Sequence, residues 1–182
     1  IHLSTDQVYE GNGKKNERQI KIVNEYAKTK YEAEKYVTKL RGCVLRTNFF
    51  GKSKNKKTLV DWIIQSNQIK KNIKVFNNVF FSPIYVKTLC KYIYLFCLKK
   101  STGVYNLGSE NCISKSEFAH YIVRKLNLND EYLINSKYSN KSLLAKRPKN
   151  MCMNSLKFKR KFKVIIRNCY YELNLMIKDL TK

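Results

Sequence analysis

From Asn24 to about Lys39, apolar and aromatic positions recur every three or four residues: Ala27, Tyr31, Ala33, Tyr36, Val37 and Leu40. That spacing predicts a helix, with Asn24 as its cap. Ile1–Thr5 reads as the end of a buried strand and Cys43–Thr47 as a second one. Between Asp6 and Val23 lies a long polar loop. Downstream, Thr58–Ser66 is amphipathic and helical, and "NIKVF" is a strand. "VFFSPIYV" carries a proline that breaks it before a helix of about Val86–Leu98. Gly103–Ser109 reads as a strand bounded by glycines. Ser114 and Glu117 stand at capping-box spacing and start another helix, and a basic helix of about Asn168–Leu180 closes the chain. Strands alternating with helices imply a parallel, layered α/β fold.

Composition narrows this picture. A hydrophobic content of 43% is enough for a core. The longest apolar-rich stretch, Tyr92–Leu98, is too short to span a membrane, and no basic-then-apolar leader opens the sequence. The six cysteines form no C-x-x-C pair, so they are expected to be free thiols in the cytoplasm rather than a disulfide framework or a metal site. The formal net charge of +24 suits a nucleic-acid binder, with basic runs at Lys52–Lys57 and Lys157–Lys163. Lysine is spread over the whole chain, however, and no nucleic-acid-binding signature accompanies the runs. The first residues, "IHLSTD", read as the tail of a core strand, so the chain is expected to be the C-terminal part of a longer polypeptide.

The candidate chemistry begins with "YAKTK". Tyr26 and Lys30 are four apart and share one helix face. A free tyrosine titrates near pH ~10, and a neighbouring cation favours its phenolate, which suits it to proton transfer at a carbonyl. The pair alone is weak in a chain rich in both residues. "STDQVYEG" adds to it, because Thr5 sits at the carboxyl end of a presumed core strand, where α/β sheets bind ligands. A hydroxyl there can stabilise charge on a substrate oxygen.

With "YAKTKYEAE", "VLRTNFFG", "FFSPIYV", "GVYNLGS" and "AKRPKNMCMNSLKF" following in order, the chain resembles the extended short-chain dehydrogenase/reductase superfamily. The branch is that of dTDP-4-dehydrorhamnose reductases and related sugar-nucleotide reductases. The resemblance implies the C-terminal part of a Rossmann-like NAD(P)-binding parallel sheet plus a smaller α/β substrate-binding region. The division implied is 1–70 for the first and 71–182 for the second. It implies an oxidoreductase in which Thr5, Tyr26 and Lys30 are catalytic, and NADPH or NADH reduces a keto group on a nucleotide-linked sugar. Tyr26, Lys30, Asn48 and Phe49 are implied at the cofactor, and Asp6 and Arg147 at the substrate, an arginine fork being suited to diphosphate.

The sequence departs from that family in one respect. Its glycine-rich cofactor turn is missing, since "GNGKKN" has Asn16 where a third glycine would fall and opens no helix. The missing N-terminal half of the fold is therefore an expected partner, and a homodimer is left open. Two other functions stay in play: a non-catalytic, partner-binding protein of the same fold, resembling the regulatory subunit of methionine adenosyltransferase, and a basic nucleic-acid module.

Overall fold

The structure is a computed structural model that describes residues 1–55, 58–139 and 145–181. Lys56 and Lys57 of the first basic run lie outside the described residues. In chain order the elements are β1 (His2–Thr5), α1 (Glu25–Lys39), β2 (Cys43–Thr47), β3 (Phe49–Phe50), α2 (Leu59–Gln68), β4 (Ile73–Phe76) and β5 (Phe80–Phe81). They continue with β6 (Ile84–Tyr85), α3 (Val86–Lys99), β7 (Gly103–Leu107), β8 (Ile113–Ser114) and α4 (Lys115–Lys125). The last are β9 (Leu133–Ser136), β10 (Asn150–Met151), α5 (Leu156–Phe162) and α6 (Cys169–Leu180).

The main sheet is parallel, in the order β1-β2-β7, with Leu3 opposite Leu45 and Leu45 opposite Tyr105. Every residue of β2 is buried, as expected of a central parallel strand covered on both faces. Helices α3 and α5 close one side through Leu89, Phe96, Phe158 and Phe162 on Leu45, Tyr105 and Leu107. A second, larger core joins α2, α4 and α6 to short strands around β5. There β5 lies between β8 and β10, β3 pairs with β6, and β4 with β9.

Caps fix the helices that matter for the site. The Asn24 side chain accepts from Ala27 N at 2.8 Å to start α1. Ser114 and Glu117 form a complete capping box at α4. Thr58 and Asp61 do the same at α2. Where the second core meets the main sheet, Gly108 is required by packing, since a Cβ there would sit 2.3 Å from the Ser82 carbonyl oxygen.

Three features depart from the sequence reading. The loop after β1 is polar in composition, yet it opens with a 3₁₀ turn at Asp6–Val8 and completely buries Val8 and Tyr9. The short elements β8, β9, β10 and α5 escape a periodicity reading, because two to seven residues are too few to show a repeat. Finally, the expectation of six free thiols is corrected. Cys112 and Cys152 form a disulfide with Cα atoms 5.6 Å apart. They flank β8 and β10, which both pair with β5, so the contact comes from the sheet and not from their 40-residue separation. Cys43 and Cys169 are free and buried, while Cys90 and Cys97 are free and exposed. Among the described residues no helix is long and apolar enough to cross a membrane.

Candidate active site

The site forms where β1 ends. The Thr5 hydroxyl accepts from Gln7 N at 3.2 Å, capping the 3₁₀ turn. That bond occupies an oxygen lone pair and leaves the hydroxyl hydrogen free to be aimed, and its protein acceptor, Asp6 Oδ1, lies at a long 3.5 Å. Helix α1 starts beside it. Asn24 Nδ2 donates to Gln7 Oε1 and to Lys146 O, each at 3.1 Å. One cap residue therefore ties the first turn of α1 to the loop after Thr5 and to the segment that carries Arg147. Tyr26 lies in that first turn, 53% exposed, and its hydroxyl meets no protein partner among the described residues. One turn on, Lys30 Nζ donates to Leu3 O at 2.6 Å, two residues before Thr5. Of the three residues implied as catalytic, Thr5 ends β1, Lys30 bonds to β1 at Leu3, and Tyr26 stands one turn before Lys30 on α1.

A network beneath α1 holds this geometry. Glu34, one turn beyond Lys30, is buried and accepts from Arg46 Nη2 of β2 at 2.5 Å and from Arg46 Nε at 3.0 Å. Ser4 also donates to Glu34. Arg46 Nη1 donates to Tyr9 Oη at 2.8 Å and to Glu17 O at 2.7 Å, and Tyr9 in turn donates to Asn106 at 2.6 Å. Burial opposes the charge on Arg46, but Glu34 and Tyr9 outweigh it and hold its pKa above the ordinary value. Burial pushes the Tyr9 phenol up to about 12. The periodicity of α1 gave no hint of this arrangement. Apart from Ala27, the residue that α1 fully buries is Glu34, while Tyr36 and Leu40 face solvent.

Beside the strand end is a cavity of about 510 Å³, lined among others by Gln7, Asn48, Trp62, Lys74, Lys115 and Arg147. Its remaining lining is mostly apolar and aromatic, including Phe76 and Tyr138, and Arg147 N donates to Tyr138 Oη at 3.1 Å. Among the described residues no carboxylate lines it, so its charge suits an anion. A second cavity of about 350 Å³ adjoins it, lined by Phe49 and sharing Asn48 and Lys115 with the first. Asp6 lies just behind this wall, 1% exposed, and accepts from Asn48 Nδ2 at 2.8 Å. Burial pushes the Asp6 carboxyl up to about 6, against the opposing pull of Lys115, Asn48 and Thr5. Burial likewise pushes Lys115 down to about 8, opposed by Asp6 and Cys169 and assisted by Arg147. Lys115, Gln7, Trp62, Lys74 and Tyr138 were not anticipated from the sequence. The only local signal at Lys115 is the capping box, which marks a helix start and says nothing about a cavity.

The residues fit a nicotinamide cofactor at one end. Lys30 has three donor hydrogens and gives one to Leu3 O, which leaves two for ribose hydroxyls. The Gly11–Gly13 turn does not fit a pyrophosphate. Lys15 Nζ fills it by donating to the carbonyls of Asn12 and Gly13, and the next helix begins only at Glu25. Among the described residues no glycine-rich turn leads directly into a helix N-terminus.

The architecture is Rossmann-like α/β, shared with solved reductases and dehydratases of nucleotide sugars. A dTDP-4-dehydrorhamnose reductase from Bacillus anthracis, solved with NADP, superposes with a TM-score of 0.89 at 22% identity, over 98% of this chain and 64% of its own. The Clostridium acetobutylicum reductase gives 0.90 at 21% identity, over 100% of this chain and 65% of its own. A dTDP-glucose 4,6-dehydratase from Bacillus anthracis with NAD gives 0.79 at 19% identity, over 97% and 59%. The chain thus spans just under two thirds of the reductases' length. The RmlD substrate binding domain family matches residues 1–182, and the chain belongs to that family. A search of curated proteins gives no match.

Proposed function

We propose that this polypeptide takes part in the NAD(P)H-dependent reduction of a keto group on a nucleotide-linked sugar, with dTDP-4-dehydrorhamnose as the first candidate and the cytoplasm as its compartment. The observation that carries this reading is the convergence at the end of β1. There the Asn24–Gln7 bond ties the first turn of α1, which carries Tyr26, to the loop after Thr5, and Lys30 bonds to Leu3 of β1, beside a cationic cavity. The reduced nicotinamide, when bound, supplies the hydride. Tyr26, exposed and without a protein partner, delivers a proton to the oxygen that becomes a hydroxyl. Thr5 turns its hydrogen to the same oxygen and stabilises its growing charge. Lys30 holds ribose hydroxyls with its remaining hydrogens, and Asn48 and Phe49 bound the cofactor side. Arg147 and Lys74 face the diphosphate across the cavity, and Asp6 orders the wall through Asn48.

The test is NADPH consumption by the full-length polypeptide against a panel of nucleotide 4-keto sugars. Turnover is expected with at least one of them, and Tyr26→Phe should lower it by roughly 10²–10⁴-fold without changing the melting behaviour. Equal turnover in Tyr26→Phe rejects the assigned proton donor. The absence of turnover across the panel rejects the activity.

A further inference from the structure

Lys115 begins α4 and is partly buried at the wall shared by the two cavities. Its Nζ lies 3.3 Å from the centre of the Phe81 ring, so one side of the ammonium rests on an aromatic face. Among the described residues it meets no hydrogen-bond acceptor, and no direct ion pair joins it to Asp6. An ammonium has three hydrogens to donate, and leaving them unmet away from bulk water is costly. Asp6 is in a related position. Its Oδ2 takes one bond from Asn48, while among the described residues the only side-chain donor to its Oδ1 is Thr5, at 3.5 Å. The wall thus presents a cation short of acceptors, with a carboxylate short of donors just behind it. A sugar hydroxyl has what the cation lacks, since its oxygen accepts from an ammonium.

We propose that Lys115, with the charge of Asp6 behind it, is a specificity-determining residue that grips a ring hydroxyl of the sugar and so selects the hexose end of the ligand. This rests on the nucleotide-sugar reading above and deepens it. Arg147 and Lys74 answer to the diphosphate, whereas Lys115 answers to the sugar. A site built around such a bond discriminates strongly against a ligand that lacks the hydroxyl, because its absence leaves buried polar groups unpaired.

Trp62 lines the larger cavity and is the single tryptophan of these 182 residues, so the fluorescence change that is lost in a Trp62→Phe control reports occupancy. The experiment titrates the full-length polypeptide with thymidine diphosphate alone and with thymidine diphosphate-glucose. It compares the wild type with Lys115→Met, which keeps the length of the side chain, and with Lys115→Arg, which keeps the charge. Circular dichroism melts check that the variants fold. Lys115→Met should weaken thymidine diphosphate-glucose binding by about tenfold or more, as expected for a charge-assisted hydrogen bond, and leave thymidine diphosphate within about twofold. Lys115→Arg should recover part of the loss. Unchanged glucose-conjugate binding in Lys115→Met, or an equal loss for both ligands, overturns the assignment while leaving the nucleotide-sugar reading intact. Failure of the wild type to bind either ligand overturns that reading and this inference together.

Discussion

Two acid–base pairs, Arg46 with Glu34 fully buried and Lys115 with Asp6 partly so, are built in opposite ways. Arg46 and Glu34 touch at three nitrogen–oxygen contacts, and Tyr9, Ser4, Glu17 and Asn106 take up the surrounding donors and acceptors. No cavity described above includes either residue. Lys115 and Asp6 feel each other's charge without contact and have few hydrogen bonds, with Lys115 at a cavity wall and Asp6 behind it. Burial desolvates charge in both cases. Where protein groups return what water gave, the pair is architecture; where they do not, capacity remains for a ligand. Hydrogen-bond completeness separates the two pairs more sharply than burial does.

The contrast can be broken most forcefully at Glu34. Glu34→Ala should cost about 3–5 kcal/mol in urea unfolding, because it strands a buried guanidinium. Glu34→Leu combined with Arg46→Met should return most of that stability, and a double variant no better than the single would show that Arg46 has other essential partners.

Next in size is a pH effect at Asp6, whose charge faces Lys115, Asn48 and Thr5. Its carboxyl sits near 6 in the fold against 3.8 when unperturbed, so the folded state holds the proton more tightly than the unfolded state. This group therefore adds stability as pH falls from about 6 toward 4, on the order of 2 kcal/mol, opposite to an ion-paired carboxylate. Subtracting unfolding curves of Asp6→Asn from those of the wild type over that window isolates the contribution. A difference that is flat with pH, or that rises with it, would contradict the raised carboxyl.

Tyr9→Phe should cost about 1 kcal/mol, since Arg46 Nη1 keeps Glu17 O as an acceptor. The smallest effect is expected at Lys115. Lys115→Met should shift the unfolding free energy by less than about 1 kcal/mol, because the apolar methionine tip can replace the ammonium on the Phe81 ring and no hydrogen bond is lost. A loss as large as that at Glu34 would erase the distinction between the pairs.

Much of the framework was legible beforehand. The caps at Asn24 and Ser114, the strands at Cys43–Thr47 and Gly103–Leu107, and the helix after Pro83 all lie where local pattern puts them. Each is a short-range effect, written in residues a few positions apart. The site was legible in part. Thr5, Tyr26 and Lys30 stand close enough in sequence for motif and helix spacing to join them. Lys115 belongs with Asp6 only because β8 pairs with β5 and starts α4 beside the end of the main sheet. The Cys112–Cys152 disulfide escaped notice for the same reason.

The sequence alone therefore determined the longer elements, the caps at Asn24 and Ser114 and the family, and offered candidates for the chemistry, because periodicity, capping and motif spacing act over a few residues. Only the tertiary structure decided which charges are buried, which of them are satisfied, and where the cavity opens. Those properties depend on dielectric surroundings and on partners supplied by distant strands, and no local window of residues contains them.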